Sequence, residues 1–452
     1  MTLIRKQTSI PIQKETDVCV IGGGPAGIGA AVAAARHNKH VILIEKRGFT
    51  GGNVTACYVE NPDYFMAGTQ FAPEGIYAEI ESGFLSKFGN DNVRPKKNKS
   101  FNSETLKCYL DDYLLSNGVQ LMLHSFVNDV ICEDDIIRAV IIQTKKGPAA
   151  ITAKTFIDAT GDGDAAYAAG VPCDIGRDKD GKCQPGTVAV RLAGANVKEL
   201  LTDGDKLQKI TKEFRAEYQK GNIQLTCKRQ DIPFGRLTKA GIISYVNYSC
   251  AYGIDPTDNE DLTRGEIECR KYILEIVQYL KTHYVELRDI EIASLAPEIG
   301  FRDSRRIHGN YRLTIEDMED RKHFQDAIAV FPRFYDMLSP DGIMSETSDF
   351  SGKGYHGHIF EPVIGNRYFE VPYRCMVPDK INNMLVAGRC VSADHVAECG
   401  LRAVSLCSLM GQAAGTAGAL AIDNQVSLSN IPIKTLQKQL INDGIKIPMD
   451  QD

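Results

Sequence analysis

The sequence has no Cys-x-x-Cys pair, although it carries 13 cysteines. The tightest grouping, Cys390, Cys399 and Cys407, matches neither the zinc nor the iron–sulfur ligand spacings, so no resident metal is expected. An odd number of thiols in a long chain also argues against a disulfide framework and for a reducing compartment. The opening stretch, MTLIRKQTSIPIQKETD, lacks the apolar centre of a signal sequence, and a cytoplasmic location is expected. Positive charge is not in excess: Lys+Arg is 52 against 58 Asp+Glu, a net charge of −6. Nucleic acid is therefore not the expected partner. The one basic cluster, Arg94, Lys96, Lys97 and Lys99, is short, has no interleaved aromatics and reads as a solvated loop. Internal repeats, low-complexity tracts and flexible linkers are also missing.

Long apolar runs are nearly absent. The exception is residues 403–422 (AVSLCSLMGQAAGTAGALAI), uncharged throughout and holding a G-x-x-x-G at Gly411 and Gly415. It is rich in Ala, Gly, Ser and Gln rather than Leu and Ile. It reads as a helix buried against a sheet or a cofactor, and no membrane span is expected.

What remains is an ordinary globular composition, 43% hydrophobic and 24% charged over 452 residues, long enough for two or three domains. Residues 16–21 (TDVCVI) read as a buried strand, 25–38 as an Ala-rich helix and 41–45 (VILIE) as a second buried strand. Together they form a βαβ unit of about 30 residues. A helix is expected at 104–116, strands over 119–142 with a turn at Glu133-Asp134-Asp135, and a buried strand at 155–160. Residues 187–194 and 241–249 alternate like sheet strands. Thr263 and Glu266 have capping-box spacing and are expected to open a helix running to about His283. Residues 289–315 are strand-like. Residues 367–388 read as strand, turn and buried strand, followed by the uncharged helix. The fold class is thus α/β: a discontinuous Rossmann-type domain (1–172 and 366–452) around an inserted α+β domain (173–365) with an antiparallel sheet. The insert is allowed to contribute strands back to the first domain.

The strongest motif is Gly22-Gly23-Gly24-Pro25-Ala26-Gly27, a G-x-G-x-x-G between strand and helix. Gly22 permits the tight turn, Gly24 lets backbone approach a pyrophosphate, and Gly27 lets helix pack on strand. The pyrophosphate would sit on the free N–H groups of the helix N-terminus. Glu45 ends the second strand, placed for ribose hydroxyls and against a 2′-phosphate. The fingerprint by itself does not separate FAD from NAD.

Further blocks narrow it. VIGGGPAGIGAAVAAAR, EKRGFTGGN, FIDATGDGDAAYAAGV, NNMLVAGRCVSADH and GQAAGTAGALA, with PEIGFRDSRRI and DLTRGEIE in the middle, resemble the FAD-dependent oxidoreductases of the glutathione-reductase-like flavoprotein superfamily. About half the chain is covered, in separate blocks. The resemblance implies non-covalent FAD, because the Gly51-Gly52 loop lacks the adjacent His that some relatives use. It implies that Gly22, Gly24, Pro25 and Ala26 cradle the pyrophosphate, that Glu45 and Lys46 flank the ribose, and that Gly51, Gly52 and Asn53 line the loop beside the flavin. Val127 matches a backbone position on the adenine. Ala159, Thr160, Gly161 and Asp164 match the second turn over the dinucleotide. Gly388 and Arg389 match a motif that usually ends Gly-Asp. Gly400, Leu401 and Arg402 precede the uncharged helix, whose N-terminal amides would face the flavin N1–C2=O edge.

For the chemistry, His395 is the first candidate proton donor or acceptor, since it follows the Gly388-Arg389 turn. Arg302, with Arg305 and Arg306, suits a carboxylate or the cofactor; the alternative is an inter-domain ion-pair network with Glu298 and Asp303. Arg374 is a further candidate on the substrate side. His356 and His358 share a strand face but lack a third metal ligand of clear spacing. Tyr245, Tyr248 and Tyr252 line the covering sheet or lie half-buried in its core. Cys57 follows the Gly51-Gly52 loop without a redox partner, which speaks against disulfide reduction. No second G-x-G-x-x-G points to a dedicated NAD(P)H domain. The expected function is hydride transfer between flavin N5 and a small organic substrate held between the FAD domain and the insert; a homo-oligomer is compatible with it. Dehydrogenase, oxidase and reductase remain open, as does the electron partner. The alternatives are an FAD-binding subunit acting as relay or structural element in a larger complex, and an NAD-only dehydrogenase, which leaves 159–164 and 388–402 unexplained.

Overall fold

The computed structural model describes residues 9–60, 72–95, 99–202, 204–332, 336–342 and 368–447. The chain enters through β1 (Ile12–Ile21), whose last four residues are apolar and buried, as in a strand covered on both faces. Gly22, at φ 98°, turns it into α1 (Pro25–Arg36), where Pro25 takes the first helical position and its missing N–H costs nothing. β2 (Val41–Ile44) completes the crossover parallel to β1, Val18 opposite Val41 and Ile21 opposite Ile44. The short α2 (Asn53–Ala56), α3 (Gly75–Phe88) and α4 (Ser103–Ser116) follow, the last capped by the Asn102 side chain. Then come β3 (Gln120–Met122) and a meander of β4 (Phe126–Glu133), β5 (Ile136–Thr144) and β6 (Gly147–Asp158). Asp134 and Asp135 (φ 50° and 62°) make the two-residue hairpin at the expected turn.

α5 (Asp164–Ala168) and β7 (Cys173–Ile175) lead into a second unit. It holds β8 (Val190–Ala193), α6 (Val197–Leu201), α7 (Lys206–Gln219), β9 (Ile243–Val246), α8 (Asn259–His283) and β10 (Glu291–Leu295), with β8 central in an antiparallel sheet between β10 and β9. The chain returns through β11 (Arg305–Ile307), α9 (Ile315–Glu319), β12 (Ala327–Pro332), β13 (Tyr368–Pro372) and β14 (Met384–Val386), and ends in α10 (His395–Leu401), α11 (Val404–Asn424) and α12 (Ile433–Asn442).

The main sheet runs β3-β2-β1-β6-β5-β4, with β14 also on β6. β6 is long enough to pair antiparallel with β5 through its first half and parallel with β14 through Phe156–Asp158. Five strands therefore end together at one edge. α1 and α11 pack side by side, so closely that a Cβ on Gly411 would lie 1.9 Å from the Ala26 carbonyl oxygen. α11 is long and apolar enough to cross a membrane, but 83% of that window is buried inside the protein. The uncharged run is a core helix.

Buried apolar side chains form two large clusters. One joins the main sheet, its helices and 307–447; the other joins Tyr58, 188–299 and Leu338. The segment 305–332, placed by sequence in the inserted part, returns its Ile307, Leu313, Ile328 and Phe331 to the first cluster. The capping box at Thr263 and Glu266 is not formed. α8 begins a turn earlier, where the Asp258 side chain accepts from Glu260 N and Asp261 N, and Thr263 donates to Asn259 O inside the helix.

Candidate active site

The parallel strands all stop at the same edge, and the turns that leave them line a cleft of about 310 Å³. It lies where α/β sheets place nucleotides. Gly22, Gly24, Pro25 and Ala26 form its floor, Glu45, Lys46 and Arg47 one side, and Gly52, Asn53 and Cys57 another. A smaller pocket that shares Gly22, Glu45, Lys46, Arg47 and Thr160 with it continues past Ser125, Phe126 and Val127 to Asp164.

The glycines of the first turn are there for different reasons. A Cβ on Gly22 would lie 2.6 Å from Ala159 O, and one on Gly27 1.8 Å from Gly22 O, so packing alone demands both. A Cβ on Gly24 would meet nothing closer than 3.8 Å. It would instead fill the mouth of α1, where no side chain caps the first-turn N–H groups. That cradle fits an anionic bridge such as a pyrophosphate. The buried Glu45 carboxylate braces the turn: Oε2 accepts from Gly23 N at 2.8 Å and Oε1 from the Arg47 backbone N at 2.9 Å and side chain at 3.0 Å.

The second turn, Ala159 to Asp162, is shaped by Asp158. Its Oδ1 accepts from Thr160 N and Thr160 Oγ1, and its Oδ2 from Ala166 N. Burial nevertheless pushes this carboxyl up to about 6. Arg389, where the usual motif has Asp, spans the cleft wall: Nε donates to Gly161 O (2.7 Å), one terminal nitrogen to Phe301 O (2.6 Å), and the other pairs with Asp162. Burial would raise Asp162, but Arg389 and Lys46 outweigh it and hold its carboxyl below the ordinary range.

The far wall comes from the second unit: Pro256, Leu262, Glu266, Glu298, Ile299, Gly300, Phe301 and Arg302. Glu298 binds Arg47 and Glu266 accepts from Ile299 N, so neither meets the arginines of 302–306. Arg302 lines the cleft and, among the described residues, makes no hydrogen bond or ion pair. Arg305 pairs with Asp164 at 2.9 Å and lies over the Tyr167 ring. Cys57 faces the cleft with its thiol pushed up by burial.

Most sequence-expected residues meet here, including Val127, Thr160, Asp164, Gly388, Arg389 and Arg402. Five do not. Gly51 lies behind the turn against Thr55 and Leu110. Gly400 and Leu401 are buried in α10, a separate short helix, while Arg402, just after it, and Val404 and Cys407 of α11 reach the cleft. Arg374 is half-exposed and clamps Asp326 at 2.9 and 3.1 Å, away from the cleft. His395 is 2% exposed and faces Asp303 and Glu398 behind the wall. Gly388 and Arg389 line the cleft, whereas the His395 side chain does not. Tyr248 is fully buried core. His356 and His358 lie outside the described residues. Arg47, Asp162 and Phe301 lie outside the expected set, each placed by a partner distant in sequence; Glu298, expected beside the arginines of 302–306, pairs with Arg47 instead.

A family model described as "FAD dependent oxidoreductase" matches residues 17–440. The chain belongs to this family of flavoenzymes, with FAD as cofactor. The soluble pyridine nucleotide transhydrogenase of Marinobacter nauticus is 56% identical over 39 residues, 9% of this chain and 8% of that protein. The thiamine thiazole synthase of Aeropyrum pernix is 25% identical over 166 residues, 34% of this chain and 57% of that protein. The matches thus span less than two thirds of either relative. A geranylgeranyl bacteriochlorophyll reductase-like protein from Thermoplasma acidophilum is similar at TM-score 0.45 and 13% identity, over 96% of this chain and 84% of that one.

Proposed function

We propose that this chain binds FAD non-covalently in the cleft, in the manner of the glutathione-reductase-like flavoproteins, and oxidises or reduces a small organic substrate held against the wall of the second unit. One observation carries the reading: a single cleft runs from Val127 and Asp164, across the Gly22–Ala26 turn, to Phe301 and Arg302. One end suits a dinucleotide and the other meets the wall of the second unit. When bound, the flavin would accept or supply a hydride at N5.

The chain's own residues supply the rest. Gly24 and the α1 N-terminus hold negative charge, Glu45 faces the ribose side, and the Arg389–Asp162 pair fixes the second turn. Arg302 is a guanidinium in a cleft whose acidic groups already have partners, so it is placed for a substrate carboxylate. Phe301, Leu262 and Ile299 exclude water beside it. The substrate, the electron partner, a cytoplasmic location and any self-association belong to this proposal.

The visible spectrum of the purified protein tests it, recorded before and after acid precipitation. A flavin spectrum that moves to the supernatant is expected. Colourless protein that takes up no added FAD would refute the reading.

A further inference from the structure

We propose that Asp303, His395 and Glu398 form a binding site for one divalent first-row transition cation, buried behind the cleft. His395 and Glu398 stand at i and i+3 on α10 and so share a face, and Asp303, just before β11, meets them from across the fold. One ligand-type atom from each lies within 4.8 Å of the others. All three are essentially buried, at 0%, 2% and 0% exposure.

These groups do not satisfy one another. Among the described residues, Asp303 Oδ2, both imidazole nitrogens and both Glu398 oxygens have no hydrogen-bond partner. His395 Nδ1 is 3.2 Å from Asp303 Oδ2, yet the alignment makes no hydrogen bond.

Charge leads the same way. Two buried carboxylates face one guanidinium, Arg306, which is 3.6 Å from Glu398 and held by Gly176 O and Ala393 O. Arg389 and Arg402 lie nearby but bind Asp162 and Asp336. The imidazole and both carboxylates keep lone pairs that no described residue uses. A dication uses the same lone pairs directly.

The surroundings suit ligation. Asp303 Oδ1 accepts from Gln184 N at 2.9 Å, leaving Oδ2 inward, and Arg306 backs Glu398 from outside. One nitrogen and two carboxylates suit Mn²⁺, Fe²⁺ or Zn²⁺.

Mn²⁺ is the probe of choice, because the exposed Cys108 and Cys132 would take up zinc adventitiously. The flavin-loaded chain is expressed in Mn²⁺-supplemented medium, dialysed against EDTA and measured by elemental mass spectrometry and pulsed electron paramagnetic resonance. The expected result is about one metal per chain that resists EDTA, with ¹⁴N coupling from an imidazole. H395A and E398Q should retain flavin absorbance and lose at least tenfold of the metal. Metal-free wild type would overturn the proposal, as would uptake unchanged in both variants. So would bound Mn²⁺ showing ³¹P coupling to the cofactor, or no nitrogen coupling at all. The resonance measurement needs no variant, so the test survives if a substitution prevents folding.

Discussion

Single residues at the cleft show how the same amino acid serves different ends. Gly22 and Gly27 are demanded by packing, whereas Gly24 is demanded by what approaches from outside. Sequence alone marks all three, because the spacing of the motif reflects both requirements. Asp158 carries a cost of its own. Its carboxylate shapes the second turn, yet burial raises its pKa from 3.8 to about 6. A raised carboxyl pKa stabilises the fold fully below about pH 4, and that contribution is lost as pH rises through about 6. About two pKa units correspond to roughly 3 kcal/mol. The stability of wild type relative to D158N, followed by urea unfolding, is therefore expected to fall by about that amount between pH 4 and 7. A flat difference would show that the carboxyl titrates normally.

At the scale of elements, the packing of α1 on α11 sets the position of the first turn. Gly411 and Gly415 bring the helices together until Cβ atoms there would fall 1.9 and 2.1 Å from Ala26 O and Ala30 O. G411A is expected to push α11 away from the helix that bears Pro25 and Ala26. Such overpacking typically costs about 1–3 kcal/mol, and FAD retention on gel filtration should drop with it. The uncharged run could be read as a buried helix from composition, since small residues serve close approach better than membrane partitioning. Where α8 starts could not be read in the same way. Asp258 and Thr263 both carry capping side chains; Asp258 wins because Glu266, the other half of the expected box, is engaged by Ile299 N of another element.

Across the whole molecule, the two apolar clusters are bridged by buried ion pairs. Arg191 on β8 binds the fully buried Glu60 and reaches Glu104 on α4 at 3.1 Å, while Arg236 binds Asp91 at 2.9 Å and lies 3.5 Å from Glu60. Removing one partner of a buried pair strands the other, at about 3–5 kcal/mol. R191M should therefore destabilise the protein by that order in thermal unfolding, and adding E60L should recover part of the loss. Additive losses would show that the pair is not coupled. The sequence by itself determined the βαβ unit, the dinucleotide turn and the family, because local periodicity and glycine spacing are properties of neighbours along the chain. Only the tertiary structure decided that His395 turns away from the cleft toward Asp303 and Glu398, that Arg374 belongs to Asp326, and that Arg302 is left without a partner among the described residues. Which groups pair depends on which distant segments the fold brings within a few ångströms, and no spacing along one chain encodes that distance.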